Sequence, residues 1–158
     1  MWIPRDRWLI ILVLIAVVLA AAGIFAFVDR HPDRAEVTVL DEDGTQLGTV
    51  SVRVADTGAE RYTGLSETDA LGPNEGMLFV HETVGTKNYV MRDMAFPIDI
   101  VFIGPDKRIT AIHHAPTEEP PYDRYTGRGK WVLEVPYNWT TDHDVEVGDR
   151  IEIDWPGS

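Results

Sequence analysis

The sequence predicts a mainly β fold, α+β at most: a compact, barrel-like β domain with one or two short helices, preceded by a transmembrane helix. Three observations predict it. Short apolar runs recur along the chain, separated by Gly, Pro, Asn and Asp, the spacing of strands in a small barrel or sandwich. Two alternating segments flank Asp43-Gly44, a strong hairpin signal. Residues 8–28 form 21 consecutive positions without a charge, an amide or a hydroxyl, and a bilayer core needs about 20 as a helix.

In chain order, residues 1–7 are a short tail bearing Arg5 and Arg7, and residues 8–28 are the anchor. A cleaved signal is the alternative reading, because Ala20-Ala21-Ala22 offers small residues for cleavage near Ala22. The apolar run continues through Ile24, Phe25, Phe27 and Val28, and that length favours an uncleaved single-pass anchor in the cell membrane. Arg30 and Arg34 follow the span, so the basic bias is slight; it places the tail inside and the folded part in an extracytoplasmic position. Residues 29–35, with Pro32, read as a linker, and residues 36–155 as the β domain.

Within that domain, 36–40 and 46–54 alternate around the Asp43-Gly44 turn. Thr57 and Glu60 have capping-box spacing, which opens a short helix through Tyr62 with Gly64 as its stop. Strands are predicted at 76–81, 89–91, 98–103, 108–115, 130–135 and 151–154, and a brief capped helical turn at 138–142. The stretch 116–129 (PTEEPPYDRYTGRG) reads as an irregular loop long enough to serve as a lid or binding loop.

Beyond residue 28 the chain holds 12 basic and 25 acidic residues, a net charge of −13. Such a domain repels phosphates, which excludes nucleic acid as a partner. Lysine occurs only at positions 87, 107 and 130, and with abundant aspartate this suits a salt-adapted protein in which self-repulsion is screened. There is no cysteine, so disulfides, thiolate nucleophiles and Cys-based metal sites are excluded.

Several residues are candidates for chemistry. Asp99 heads a strand that is apolar on both faces, sharing one with Val101 and Ile103; its desolvated charge needs a partner, and Arg92 is the nearest in sequence. Glu134 shares a face with Val132, opposite Trp131, Leu133 and Val135. Two such carboxylates could act as general acid and base on a glycan, or simply hold the fold. His113 and His114 point to opposite faces of an extended strand, so they do not chelate one metal ion; no cofactor is implied. Tyr122, Tyr125 and Trp131, with Arg124 and Arg128, offer rings and planar cations that stack on sugars or peptides. Asn138-Trp139-Thr140 is an N-glycosylation acceptor, relevant if the domain faces outward.

Five stretches carry a resemblance. They are Gly64-Leu65-Ser66, Gly76-Met77-Leu78-Phe79-Val80, the run from Met91-Arg92-Asp93-Met94 to Ile103, Trp131-Val132-Leu133-Glu134-Val135-Pro136, and Val147-Gly148-Asp149-Arg150-Ile151. In order and spacing they resemble the "domain of unknown function 192" family over roughly residues 48–154. The resemblance implies a compact, mostly β domain, often exported or membrane-anchored, without an established reaction. Where the family tends to read Phe-Trp-Met-Lys-Asn-Thr, this chain has Tyr89-Val90-Met91-Arg92-Asp93-Met94, so an acid replaces the amide.

The sequence thus points to a non-enzymatic ligand-binding or accessory module of the cell envelope. Its pocket would use Tyr89, Arg92, Asp93 and Asp99, with Glu134 and the loop residues Tyr122 and Tyr125, on a glycan or small molecule. A glycan hydrolase using Asp99 and Glu134, and a purely structural envelope protein, are the alternatives.

Overall fold

The computed structural model describes residues 33–156. The expected membrane span at 8–28 lies outside them; among the described residues no helix is long and apolar enough to cross a membrane.

Seven strands form one sheet: β1 (Arg34–Leu40), β2 (Gln46–Ala55), β3 (Glu75–Tyr89), β4 (Ile98–Ile103), β5 (Ile109–Ala115), β6 (Tyr125–Pro136) and β7 (Arg150–Asp154). Two short helices join them, α1 (Gly58–Thr63) and α2 (Trp139–Asp142). The spatial order is β5-β4-β6-β3-β2-β1-β7. Only β2 and β3 pair in parallel. A parallel pair cannot be joined by a tight turn, and the crossover between them carries α1.

The two edges of the sheet meet. Ile109 N donates to Asp149 O at 2.9 Å, Gly148 N to Ile109 O at 2.9 Å, and Ile151 N to Lys107 O at 2.8 Å. Arg108 and Arg150 form an antiparallel bridge at the same place. These bonds roll the sheet into a barrel-like shape, one of the two forms, barrel or sandwich, that the strand spacing allows, and satisfy edge groups that would otherwise be open.

One face of every strand fills the interior, with Val37, Val50, Leu78, Val101, Ile109, Leu133 and Ile151 as representatives. Trp139 of α2 joins this core, its ring stacked on His143 at 4.3 Å and its Nε1 donating to Asn74 at 3.3 Å. A second core lies outside the barrel wall. Phe79, Ile98, Ile100, Phe102 and Val132 point outward from β3, β4 and β6 and are covered by Leu65, Leu71, Met91, Met94 and Phe96. All six residues of β4 are therefore buried, which is why its sequence is apolar on both faces. Each large aliphatic side chain buried in this way contributes roughly 1.5–3 kcal/mol.

The predicted strands at 76–81 and 89–91 are one strand, β3, which ends at Tyr89. The polar run 82–88 conceals the continuity. In it, residues 81–84 bulge opposite Lys130, between the pairs Val80–Trp131 and Gly85–Gly129. The irregular loop is shorter than the sequence suggests, because residues 125–129 pair with 85–89 as part of β6. This β3–β6 ribbon folds back over the outer core. Phe79 and Tyr89 would lie about 33 Å apart in a straight strand, yet their rings meet edge-on at 5.1 Å. Gly127 permits the fold-back: a β-carbon there would run into the Phe102 ring.

Candidate functional site

Between the folded-back ribbon, α1 and the segment after β3 lies a cleft of about 370 Å³. Its walls follow from local sequence. Thr57 and Glu60 form the predicted capping box, with Glu60 N donating to Thr57 Oγ1 at 3.2 Å and Thr57 N to Glu60 Oε2 at 3.0 Å. Those bonds to Thr57 hold the Glu60 carboxyl below its usual range. The helix stops at Gly64, whose φ of 52° disfavours a side chain. This short helix points Arg61 at the barrel, where its guanidinium donates to Val80 O at 2.9 Å and also to Asp56 O.

Glu134 forms part of the cleft lining from the outer face of β6 and is 6% exposed. Among the described residues no hydrogen bond or ion pair reaches its carboxyl. Burial pushes it up to about 8, so it is mostly protonated at pH 7. Tyr89 and His81 stand nearby, the hydroxyl 3.0 Å from Nε2. Burial, then the neighbouring Glu134, raises the Tyr89 phenol. Burial, helped by Lys87 and Arg61, lowers His81 to about 4, so its ring is neutral. Arg92 stands at the mouth, donating to Tyr62 O at 2.7 Å and lying 4.1 Å over the exposed Tyr62 ring. A neutral acid, a phenol, a neutral imidazole and several cations thus share one concave surface, an arrangement suited to gripping a polar ligand.

A family model matches residues 38–153. The chain belongs to the DUF192 family. The family is described as uncharacterized ACR; the mainly β, barrel-like domain with two short helices is as expected from the sequence. A candidate transcription regulator from Sinorhizobium meliloti is 24% identical, with a TM-score of 0.70 covering 78% of this chain and 95% of that one; at that identity the likeness concerns the fold alone. A protein of unknown function from Novosphingobium aromaticivorans is 28% identical, with a TM-score of 0.65 over 74% and 83% of the two chains. No curated protein matches the sequence. Four of the five stretches that carry the DUF192 resemblance reach the cleft, through Leu65, Phe79, Arg92 and Glu134. The fifth closes the barrel at Ile151.

Of the residues singled out in the sequence of this DUF192 domain, Tyr89, Arg92 and Glu134 converge here. Asp93 is exposed beside Arg92, 3.8 Å from its Nε, in a left-handed turn with φ 56°, outside the cleft lining. Tyr125 packs against His113 and donates to Glu118, and Tyr122 does not line the cleft.

Asp99 belongs elsewhere, and Arg92 is not its partner. Val135 pairs with Asp99 and Glu134 with Ile100, so the two carboxylates point to opposite faces of the wall. They cannot flank one glycosidic bond, which corrects the hydrolase arrangement. Asp99 is fully buried and accepts from His114 Nδ1 at 2.6 Å, Asn138 N at 3.0 Å, Thr140 N at 2.9 Å and Thr140 Oγ1 at 2.6 Å. It thereby caps α2 in place of Asn138, whose side chain makes no cap bond. His113 and His114 do face opposite ways, one bonded to Thr126 O and the other to Asp99. Among the described residues no group of three His, Asp or Glu is placed to hold a metal ion.

Arg61, His81 and Lys87 escaped the sequence reading as members of this site. The capping box located the helix that carries Arg61; for Lys87 no local signal existed.

Proposed function

We propose that this DUF192 protein is a membrane-anchored, extracytoplasmic binding module that holds a small polar ligand in the cleft without turning it over. The observation that carries the reading is Glu134: a carboxyl kept in a cleft wall without a partner costs stability, and a ligand that accepts its proton or donates to it recovers that cost. The span at 8–28 supports a single-pass anchor in the cell membrane, and the acidic, salt-adapted surface suits an envelope domain. Exposed Asn138 would carry a glycan there, although Thr140 of the same acceptor motif already serves Asp99. An acid that is neutral near pH 7 also fits a proton donor, so a catalytic reading through Glu134 is the second.

Expressed at full length, the protein should sediment with membranes and resist carbonate extraction; a soluble form starting near Gly23 would show a cleaved signal instead. A thermal-shift screen of the same protein with glycans and metabolites in high salt should find a ligand that raises the melting point, and Glu134→Gln should weaken that response. Product formation by the wild type that vanishes in a well-folded Glu134→Gln protein would replace binding by catalysis.

A further inference from the structure

The cleft is electrostatically unlike the rest of the molecule. The domain carries 25 acids against 12 bases beyond residue 28, so its overall field is strongly negative. Inside the cleft the balance reverses. Arg61, Lys87 and Arg92 are part of the lining, and among the described residues Glu134 is the only acid in it. Arg92 has Asp93 beside it at 3.8 Å. Arg61 forms no ion pair among the described residues; its recorded bonds both run from one nitrogen, Nη1, to the carbonyls of Asp56 and Val80. The half-buried Lys87 side chain has neither an ion pair nor a hydrogen bond among them. Glu134 does not neutralise these cations near pH 7, since burial keeps it mostly protonated up to about 8. Among the described residues two cations therefore line one concave wall without an ion-pair partner, in a domain whose net charge beyond residue 28 is −13.

From this juxtaposition we infer that the cleft takes its ligand as a small hydroxylated oxyanion, a sugar acid or sugar phosphate, with its charge against Arg61 and Lys87 and its hydroxyls against Glu134 and Tyr89. The inference rests on the binding reading above and names its ligand class. A neutral ligand would leave both cations uncompensated, and an ammonium would meet them with like charge. The volume of about 370 Å³ sits at the small end of ligand clefts and has room for one substituted sugar ring. The exposed Tyr62 offers a ring at the mouth. The negative field of the whole domain opposes an incoming anion from a distance, but salt screens it within about 10 Å at 0.1 M and about 3 Å at 1 M. Contacts made inside the cleft then decide the outcome.

Four probes of matched size test this on the full-length protein by calorimetry: glucuronate, glucose 6-phosphate, glucose and glucosamine. One or both anions should bind, and the preferred one tells carboxylate from phosphate. Lys87→Met, which removes no hydrogen bond of the fold, should weaken that anion about tenfold or more. Binding should also weaken as pH rises from 7 to 9. His81 and Tyr89 from β3 stay neutral over that range, and Ile100 of β4 lies opposite Glu134; Arg61 from α1, Lys87 and Arg92 are the cations that share the lining. Glu134 loses its proton at about 8, so this fall in affinity should be absent from Glu134→Gln. Glucose or glucosamine binding as well as the anions would overturn the ligand class and leave the binding module standing. Silence from all four probes and from the wider screen would remove both.

Discussion

Glu134→Gln should remove a fall in stability with rising pH that Glu134 imposes on the wild type between about pH 5 and pH 8. In the folded protein burial holds the Glu134 proton up to about 8, against 4.5 for the ordinary side chain. Between those values Glu134 binds its proton more in the folded state than in the unfolded state, so its contribution to stability falls as pH rises, by up to about 1.4 kcal/mol per unit. The contribution is fully present below 4.5 and gone above 8. From pH 5 to pH 8 the loss is on the order of 3–4 kcal/mol, a large part of the 5–15 kcal/mol that holds a typical domain together. Glutamine cannot ionise; its buried amide carries a cost of about 1–3 kcal/mol that does not change with pH. Urea unfolding of both proteins at pH 5, 6.5 and 8 checks this. The difference should move steadily in favour of the variant as pH rises, while contributions from every other titrating group cancel. Parallel stability curves would mean that Glu134 is already ionised in the folded state and the cleft wetter than its burial indicates.

The same residue shows what sequence can and cannot supply. That Glu134 sits in a strand with Val132 on its own face and Leu133 opposite is local information, and period-two alternation reveals it. The β1–β2 hairpin and the α1 capping box are legible for the same reason: their bonds join residues a few positions apart. The cleft is assembled from the opposite kind of contact. Arg61 meets Val80, and Tyr89 meets His81 because β3 bulges and folds back on itself. Nothing in the polar run 82–88 announces a strand, since its side chains face water rather than a core. Sequence proximity also misleads at Asp99, where Arg92 is near in the chain but the strand register places His114 directly opposite. The resemblance to DUF192 helps in a different way: its stretches are scattered in sequence and meet in space, although the order of the stretches alone does not tell which of their residues face the cleft.

Asp99→Ala should be the most damaging single substitution in the domain, for a reason that has nothing to do with the cleft. Its carboxylate receives four hydrogen bonds, two from the backbone of the first turn of α2 and one each from Thr140 Oγ1 and His114 Nδ1. α2 is only four residues long. A helix so short has almost no stability of its own and depends on this capping from β4. Its Trp139 fills part of the barrel interior, so losing the cap loosens the main core as well. Alanine leaves the Asn138 and Thr140 amides and a buried hydroxyl without acceptors, at a cost of about 3–5 kcal/mol. Asp99→Asn should cost less. Its carbonyl can still accept on one side, whereas its amide meets the Thr140 N–H donor to donor. Thr140→Val, which removes the hydroxyl but keeps the shape and the backbone bonds, should fall below both. Because Asp99 faces the interior and Glu134 the outer wall, ligand affinity in a folded Asp99→Asn protein should match the wild type. Melting curves for the three variants, with one binding isotherm for Asp99→Asn, check the ranking. An Asp99→Ala protein as stable as the wild type would show that α2 holds its place through Trp139 packing alone. A loss of affinity in folded Asp99→Asn would show instead that the two faces of the β4–β6 wall are coupled.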